Sequence, residues 1–213
     1  MSDAQKLRKI TVSGSGDLDL FPLGNHLSLD LVWATAEGMF HNFKTLTLLP
    51  EFSSLVLIQS SSFTNLNFLT RLHQLTQLGL GPCQLSKPAL HLLTELRSLN
   101  LINGSVDGGL ITLADVRPEL NSLTLEDCGE LPDLSPLATL TNLRRLDLPR
   151  CIIGPLDPLK NLPYLTELDL SGVQPDLDLS PLADCRLIIC LGKDQQVTGL
   201  DRLGPGITIK RLR

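Results

Sequence analysis

The sequence is poor in aromatic residues and contains no long apolar run. Aromatic residues make up 4% of its 213 residues, although 42% of the chain is hydrophobic. The longest apolar runs span four or five residues, such as 187–191, which is too short to cross a bilayer. Glycine and proline, with 16 and 14 residues, are near their average usage, which excludes a collagen-like or disordered chain.

Neither sign of charge dominates the chain. It has 18 Lys and Arg against 23 Asp and Glu, a balance that argues against a general binder of nucleic acid or of anionic membranes. Residues 1–12 carry charges and no apolar segment, so no secretory signal is expected. The five cysteines are odd in number and form no C-x-x-C pair, which argues against a disulfide framework. The sequence therefore predicts a cytoplasmic location, with no nucleic acid and no membrane as partners.

Leucine supplies much of the apolar content. There are 51 leucines, 24% of the chain, and such an excess indicates a periodic structure. The frame L-x-x-L-x-L recurs six times at intervals of 21–24 residues, with Phe in place of the first Leu in one copy, and its period of two predicts a strand in each copy. Its middle leucines are Leu55, Leu78, Leu99, Leu123, Leu146 and Leu168. Weaker copies are expected at Ile10–Val12, Leu29–Leu31, Ile189–Leu191 and Ile207–Ile209.

A second frame, L-x-P-L, repeats between the strands. It begins at Leu20, Leu134, Leu156 and Leu179, and in the middle two copies further leucines follow at three-residue spacing. That spacing suits a 3₁₀-like segment, and proline fits its first turn, where the missing N–H costs nothing. Since one such unit cannot bury its own apolar face, neighbouring units are expected to stack around a continuous core.

The two frames resemble the leucine-rich-repeat family, most closely the short internalin-like bacterial repeats, and Asp133–Leu143 carries the characteristic phrase. The resemblance covers nearly the whole chain. It implies an α/β fold, a right-handed solenoid with a parallel β-sheet on the concave face and short 3₁₀ or α segments on the convex face. We expect one domain over 1–213, with irregular repeats over 1–51, regular repeats over 52–185 and shortened repeats over 186–213.

The family places Asn or Cys three residues after the last strand leucine, and several cysteines of this chain fall there. The residues at that position are Cys83, Gly104, Cys128, Cys151 and Val173. We expect these cysteines to be reduced thiols buried against backbone where each strand ends. Cys190, in a strand, is expected to face out of the sheet.

The N-terminal quarter departs from the frame. Apolar residues over Val32–Phe43 have helical spacing, which predicts a convex helix that buries Trp33, Met39 and Phe40. Leu46 precedes Leu55 by only nine residues, too few for two consecutive solenoid strands. We assign Leu55 to the sheet and Leu46 to a convex strand or turn.

No pattern of catalytic or metal-binding residues is found. None of the four histidines has the i, i+4 spacing of a metal-binding helix or lies with a Cys or Glu cluster. Ser13–Gly16 lacks the Lys-Ser/Thr of a phosphate loop and is interpreted as a turn. We therefore predict that the chain is not an enzyme and uses no cofactor and no metal.

The strand residues between the leucines should face outward from the core on the concave side. Thr124, Asp147 and Asp169 should form one ladder across neighbouring strands. The candidate partner-binding residues are Glu126, Asp127, Arg145, Asp147, Arg150, Glu167 and Asp169. They would contact a basic or mixed-charge protein surface, or else only solvate an exposed sheet whose ion pairs add little stability. No Trp or Tyr is expected on this face, so the aromatic anchors typical of binding sites would be missing.

These features predict a non-catalytic recognition module, a sensor or scaffold that binds a protein partner on its concave face. The Cys-containing repeats also resemble the C-terminal repeats of bacterial NACHT-type signalling proteins, although the chain has no nucleotide-binding motif. Two alternatives stay open: a secreted or surface adhesin of the internalin kind, and the substrate-recognition part of a larger enzyme whose catalytic domain lies outside this chain. The oligomeric state is not predicted.

Overall fold

One parallel sheet of ten strands runs the length of the protein, with its strands side by side in chain order. The computed structural model describes residues 7–63, 65–116 and 119–212, so the first six residues of the expected domain lie outside the described residues. The strands are β1 Lys9–Gly14, β2 Leu31–Ala36, β3 Ser54–Gln59, β4 Gln77–Gly81, β5 Ser98–Ile102, β6 Ser122–Glu126, β7 Arg145–Asp147, β8 Glu167–Asp169, β9 Leu187–Leu191 and β10 Ile207–Arg211.

The register of the sheet follows the leucine frame. Each of the six middle leucines lies beside the next in adjacent strands, and the series extends to Ile10 and Val32 before them and to Ile189 and Ile209 after them. The six leucines are at most 2% exposed. Burying a leucine stabilises a fold by about 1.5–3 kcal/mol, so this column alone strongly favours one register. The predicted solenoid is confirmed.

The predicted helix over Val32–Phe43 is wrong, because Leu31–Ala36 forms strand β2 in the middle of a parallel ladder. Val32 and Ala34 are buried while Trp33 between them is exposed, which is strand period two. Of the expected buried helix face, only Phe40 is buried. The copy expected at Leu29–Leu31 is also out of register, since Val32 is the residue aligned with Leu55. Within residues 7–51, the repeats therefore follow the same frame as the later ones.

Short helices stack on the opposite side of the core from the sheet. The 3₁₀ helices are Phe21–Asn25, Phe43–Leu48, Asn67–Arg71, Ser135–Thr139, Asp157–Asn161, Ser180–Leu182 and Leu200–Arg202, and the α-helices are α1 Lys87–Leu92 and α2 Gly109–Val116. Proline stands in the first turn of four of the 3₁₀ helices, as the L-x-P-L frame predicts. Leu46 is buried in one of these turns, so it lies off the concave sheet as expected.

A residue in the left-handed backbone conformation follows each of the strands β5, β6, β7 and β8. Asn103, Asp127, Arg150 and Gly172 each lie two residues after the last strand leucine and have φ between 52° and 70°. The N–H groups of Asp127 and Arg150 donate to the carbonyls of Pro149 and Ser171 in the next repeat, both at 2.9 Å. Short parallel bridges follow the strands of the main sheet and pair Leu18–Asp19 with Phe40–His41, Gln84–Leu85 with Ser105–Val106, Glu130–Leu131 with Ile152–Ile153, and Leu177–Asp178 with Val197–Thr198.

The cysteines at the strand ends are free thiols in this turn region. Cys83 and Cys151 are buried and Cys128 is half-buried. The Cys151 thiol donates to the carbonyl of Leu125 at 3.0 Å, and that of Cys128 donates to Leu101 at 3.4 Å. Burial raises the pKa of Cys83 to about 12 and that of Cys128 to about 11. The thiols of Cys128 and Cys151 therefore act as neutral donors to strand carbonyls.

Candidate functional site

The outward side of the concave sheet carries one continuous row of residues, each of which directly follows a core position. We call it the central row. It comprises Thr11, Trp33, Val56, Gly79, Asn100, Thr124, Asp147, Asp169, Cys190 and Lys210. The predicted ladder of Thr124, Asp147 and Asp169 is present, on three neighbouring strands.

Arg145 organises the charged half of this row. Its Nε donates to Oδ2 of Asp147 at 2.7 Å, and its Nη1 donates to Oε2 of Glu167 at 2.5 Å. Thr124 also donates its hydroxyl to the same Oδ2 of Asp147, at 3.1 Å. The hydrogen bond to Asp147 is the main reason that the pKa of Arg145 is raised. One guanidinium therefore joins two carboxylates on adjacent strands.

Asp147 is buried, although the alternation of the strand predicts a solvated carboxylate. Its side chain is only 8% exposed. Burial raises the pKa of Asp147, and this effect outweighs the hydrogen bonds from Arg145 and Thr124, which lower it. Its Oδ1 is buried and has no hydrogen-bond partner among the described residues, and the same is true of Oδ1 of Asn100 on the same row. The interpretation of this ladder as solvated surface is therefore wrong for Asp147.

Asp169, the next residue of the ladder, is half-buried and differs from Asp147 in its partners. Its Oδ1 accepts the backbone N–H of Ser171 at 2.8 Å, and it makes no ion pair within the described ranges. Asp147, Asp169 and Cys190 line a shallow recess of about 140 Å³ that opens on the concave face, together with Glu167 and Lys210. Cys190 lies on the outward row, as expected.

The remaining predicted site residues lie at the strand ends beside this cluster. Glu126 is the last residue of β6, and its carboxylate accepts a hydrogen bond from the guanidinium of Arg150. Asp127 is exposed in its left-handed turn. The structure thus brings Arg145, Asp147, Glu167 and Asp169 together, with the Glu126–Arg150 pair and Asp127 along the edge.

Trp33 is the concave residue that the sequence interpretation missed. It stands on the central row between Thr11 and Val56, and it is 46% exposed. The expectation that no Trp or Tyr stands on this face is therefore wrong. The signal was present in the sequence, because Leu29, Val32 and Ala34 repeat the spacing of Phe52, Leu55 and Leu57 at an interval of 23 residues.

A second concavity, an aromatic cleft of about 340 Å³, lies near the exit of β3. Four of the six phenylalanines line it, namely Phe40, Phe43, Phe63 and Phe68. The rings of Phe43 and Phe68 are stacked with centroids 4.4 Å apart. The buried Gln59 accepts the backbone N–H of Phe40 at 3.3 Å and closes one side. No sequence motif indicated this cleft, because Phe40 and Phe43 come from one repeat and Phe63 and Phe68 from the next.

The histidines take local roles. His41 Nε2 lies 3.0 Å from a carboxylate oxygen of Asp17, and His73 Nδ1 lies 3.0 Å from the carbonyl of Leu92. In the described part of the chain, no three His, Cys, Asp or Glu side chains come together to hold a metal. Over the same residues, no helix is long and apolar enough to span a bilayer.

No protein-family model matches the sequence. Among solved structures, the chain is similar to an internalin of Listeria monocytogenes, with 20% identity and a TM-score of 0.63 over 90% of this chain and 56% of that one. It is similar to a leucine-rich-repeat protein of Leptospira interrogans, with 18% identity and a TM-score of 0.61 over 90% of this chain and 50% of that one. A plant peptide hormone receptor in complex with RGF2 gives 16% identity and a TM-score of 0.60 over 92% of this chain and 33% of that one.

The sheet, its register and these likenesses define the protein as a leucine-rich-repeat solenoid in fold. The chain spans about half the length of the internalin and of the Leptospira protein.

Proposed function

We propose that the protein is a non-catalytic recognition module that binds a protein partner on its concave face. The observation that carries this proposal is the central row, which aligns the exposed Trp33 with the acidic residues Asp147 and Asp169 on one open surface. Tryptophan is enriched among residues that dominate binding energy, and charge gives an interface its specificity and association rate. An aromatic anchor and a charged cluster on one surface fit a macromolecular partner.

The fold likeness supports the same assignment at a coarser level. Solenoids offer extended concave surfaces for partners. The plant receptor, whose fold is similar to that of this chain, is in complex with RGF2. We further propose a role as a sensor or scaffold in a reducing compartment such as the cytoplasm. This second proposal is supported by the free thiols of Cys83, Cys128 and Cys151, whose raised pKa values keep them protonated.

Site-specific photo-crosslinking tests the proposed surface. A benzophenone side chain is placed at Ser98 on the concave strand β5, and in a matched control at Thr139, an exposed residue of a convex 3₁₀ helix. In a lysate of the source organism, a discrete crosslinked product is expected from Ser98 and not from Thr139. The product should disappear when Trp33→Ala and Asp169→Lys are added to the Ser98 variant. Equal crosslinking from Thr139, or a Ser98 product that survives both substitutions, would contradict the proposal.

A further inference from the structure

We infer that the partner presents an extended peptide segment that lies along the central row, with an apolar side chain on Trp33 and a lysine or arginine at Asp169. This inference rests on the proposed function and specifies the chemistry and direction of its partner. It follows from the carboxylates near Asp169, the aromatic ring of Trp33 and the short side chains that lie between them on the row.

The charge of the cluster selects a cation. Its six titratable groups at Glu126, Arg145, Asp147, Arg150, Glu167 and Asp169 are four carboxylates and two guanidinium groups. Both guanidinium groups are already bound to carboxylates, Arg145 to two of them. Asp169 has no cationic partner among the described residues, so its carboxylate remains to be neutralised. A basic side chain from the partner completes this cluster, whereas an acidic one meets repulsion.

The unsatisfied polar atoms of the row also require donors. Oδ1 of Asp147, in a residue that is 6% exposed, and Oδ1 of Asn100 have no partner within the described residues. Both atoms are acceptors, and a buried acceptor without a donor destabilises the fold. A segment that brings backbone N–H groups and a cationic side chain supplies donors to this part of the row. Lys210 lies past Asp169 and Cys190 on the row, and its positive charge would repel a basic group placed there. The basic group of the partner is therefore expected on the side of Asp169 that faces Thr124.

The row between Trp33 and Asp147 carries no long side chain, which leaves room for a peptide backbone. Between Trp33 and Asp147 the row carries only Val56, Gly79, Asn100 and Thr124. The methyl carbons of Val56 lie 3.0 and 3.1 Å from the position that a Cβ on Gly79 would take, so a side chain at this position would require Val56 to shift. No long side chain interrupts this row between its apolar and acidic ends.

The distance between the ends sets the spacing of the two partner residues. Asp147 and Asp169 lie five and six strands along the sheet from Trp33. Neighbouring strands are about 4.8 Å apart, which gives roughly 24–29 Å. An extended chain covers about 3.3 Å per residue, so the apolar and basic residues should be about seven to nine positions apart.

A library of random dodecapeptides displayed on phage tests this inference on the intact protein. Peptides enriched on the wild type should carry an aromatic or large aliphatic residue and a Lys or Arg about seven to nine positions apart. The consensus peptide, labelled with fluorescein, should bind about tenfold more weakly to Asp169→Asn and still more weakly to Trp33→Ala. The control Asp184→Asn removes an exposed carboxylate outside the strands and should leave the affinity unchanged. Deleting four residues between the two anchors should abolish binding.

Three outcomes overturn the inference: no enriched peptide, an acidic consensus, or binding that is insensitive to the spacing or to both concave substitutions. The crosslinking experiment at Ser98 distinguishes failure of this inference from failure of the proposed function. If the Ser98 product forms and depends on the concave residues, the face binds a partner of other chemistry. If it does not form, both proposals fail. Trp33→Ala and Asp169→Asn remove exposed or half-buried groups, and a thermal melt verifies that each variant is folded.

Discussion

Charge reversal at two neighbouring ladder positions should have very different effects on stability. Asp147→Lys places an ammonium group where the native carboxylate is 8% exposed and 2.7 Å from Nε of Arg145. The substitution removes the buried partner of Arg145, whose guanidinium is half exposed and still pairs with Glu167, and it puts two cations together. Because the new ammonium group is buried without a partner, the cost should be on the order of 2–4 kcal/mol, below that of breaking a fully buried pair. Asp169→Lys changes a half-buried residue that makes no ion pair among the described residues and loses one hydrogen bond, from the N–H of Ser171, so it should cost about 0.5–1.5 kcal/mol.

Urea denaturation monitored by circular dichroism measures this difference. Both variants carry the same new side chain on adjacent strands, so propensity and net charge are matched. The midpoint of Asp147→Lys should fall strongly, with an unchanged slope, while that of Asp169→Lys stays near the wild type. Equal midpoints for the two variants would refute the burial of Asp147 and would indicate a solvated side chain, as the sequence alone predicts.

Four further results are expected. Leu146→Ala should destabilise the fold by about 2–5 kcal/mol, since Leu146 is fully buried in the central column of strand leucines, and an unchanged urea midpoint would show that the strand register is wrong. Asp147→Asn tests the raised pKa of the Asp147 carboxyl. Because the folded state binds the proton more tightly than the unfolded state, the wild type should gain stability relative to Asp147→Asn as the pH falls from the raised folded pKa toward 3.8. A relative loss of stability over that range would contradict this prediction. With a bulky thiol reagent, Cys83 should react only when the protein unfolds, whereas Cys190 should react in the folded protein, and mass spectrometry of trapped adducts measures both rates. Equal rates for the two thiols in the folded protein would contradict the burial of Cys83. The single tryptophan, Trp33, should become less accessible to acrylamide when a concave partner binds, whereas unchanged quenching would exclude it from the interface.

The sequence determines the fold because its repeat is enforced by burial. Leucines that recur every 21–24 residues must align in adjacent strands, since a slip by one residue would expose each of them. The same reasoning aligns Thr124, Asp147 and Asp169 without any coordinates. The position of the candidate cluster on one face was therefore predictable from spacing alone.

Tertiary structure decides what short local patterns leave ambiguous. The apolar spacing over Val32–Phe43 fits a helix and a strand almost equally, and the hydrogen-bonding ladders of β1 and β3 select the strand. That choice turns Trp33 from an expected core residue into the exposed aromatic of the concave face.

The burial of Asp147 was likewise not predictable from its position in the frame. Alternation states which face a strand residue occupies, but neighbouring strands decide how deeply it lies there. Arg145 and Thr124 cover one carboxylate oxygen, while Asp169, one strand further on, remains half-exposed. Periodicity thus fixes the scaffold through repeated burial, and the properties of the site depend on contacts between side chains about 22 residues apart, which no single repeat encodes.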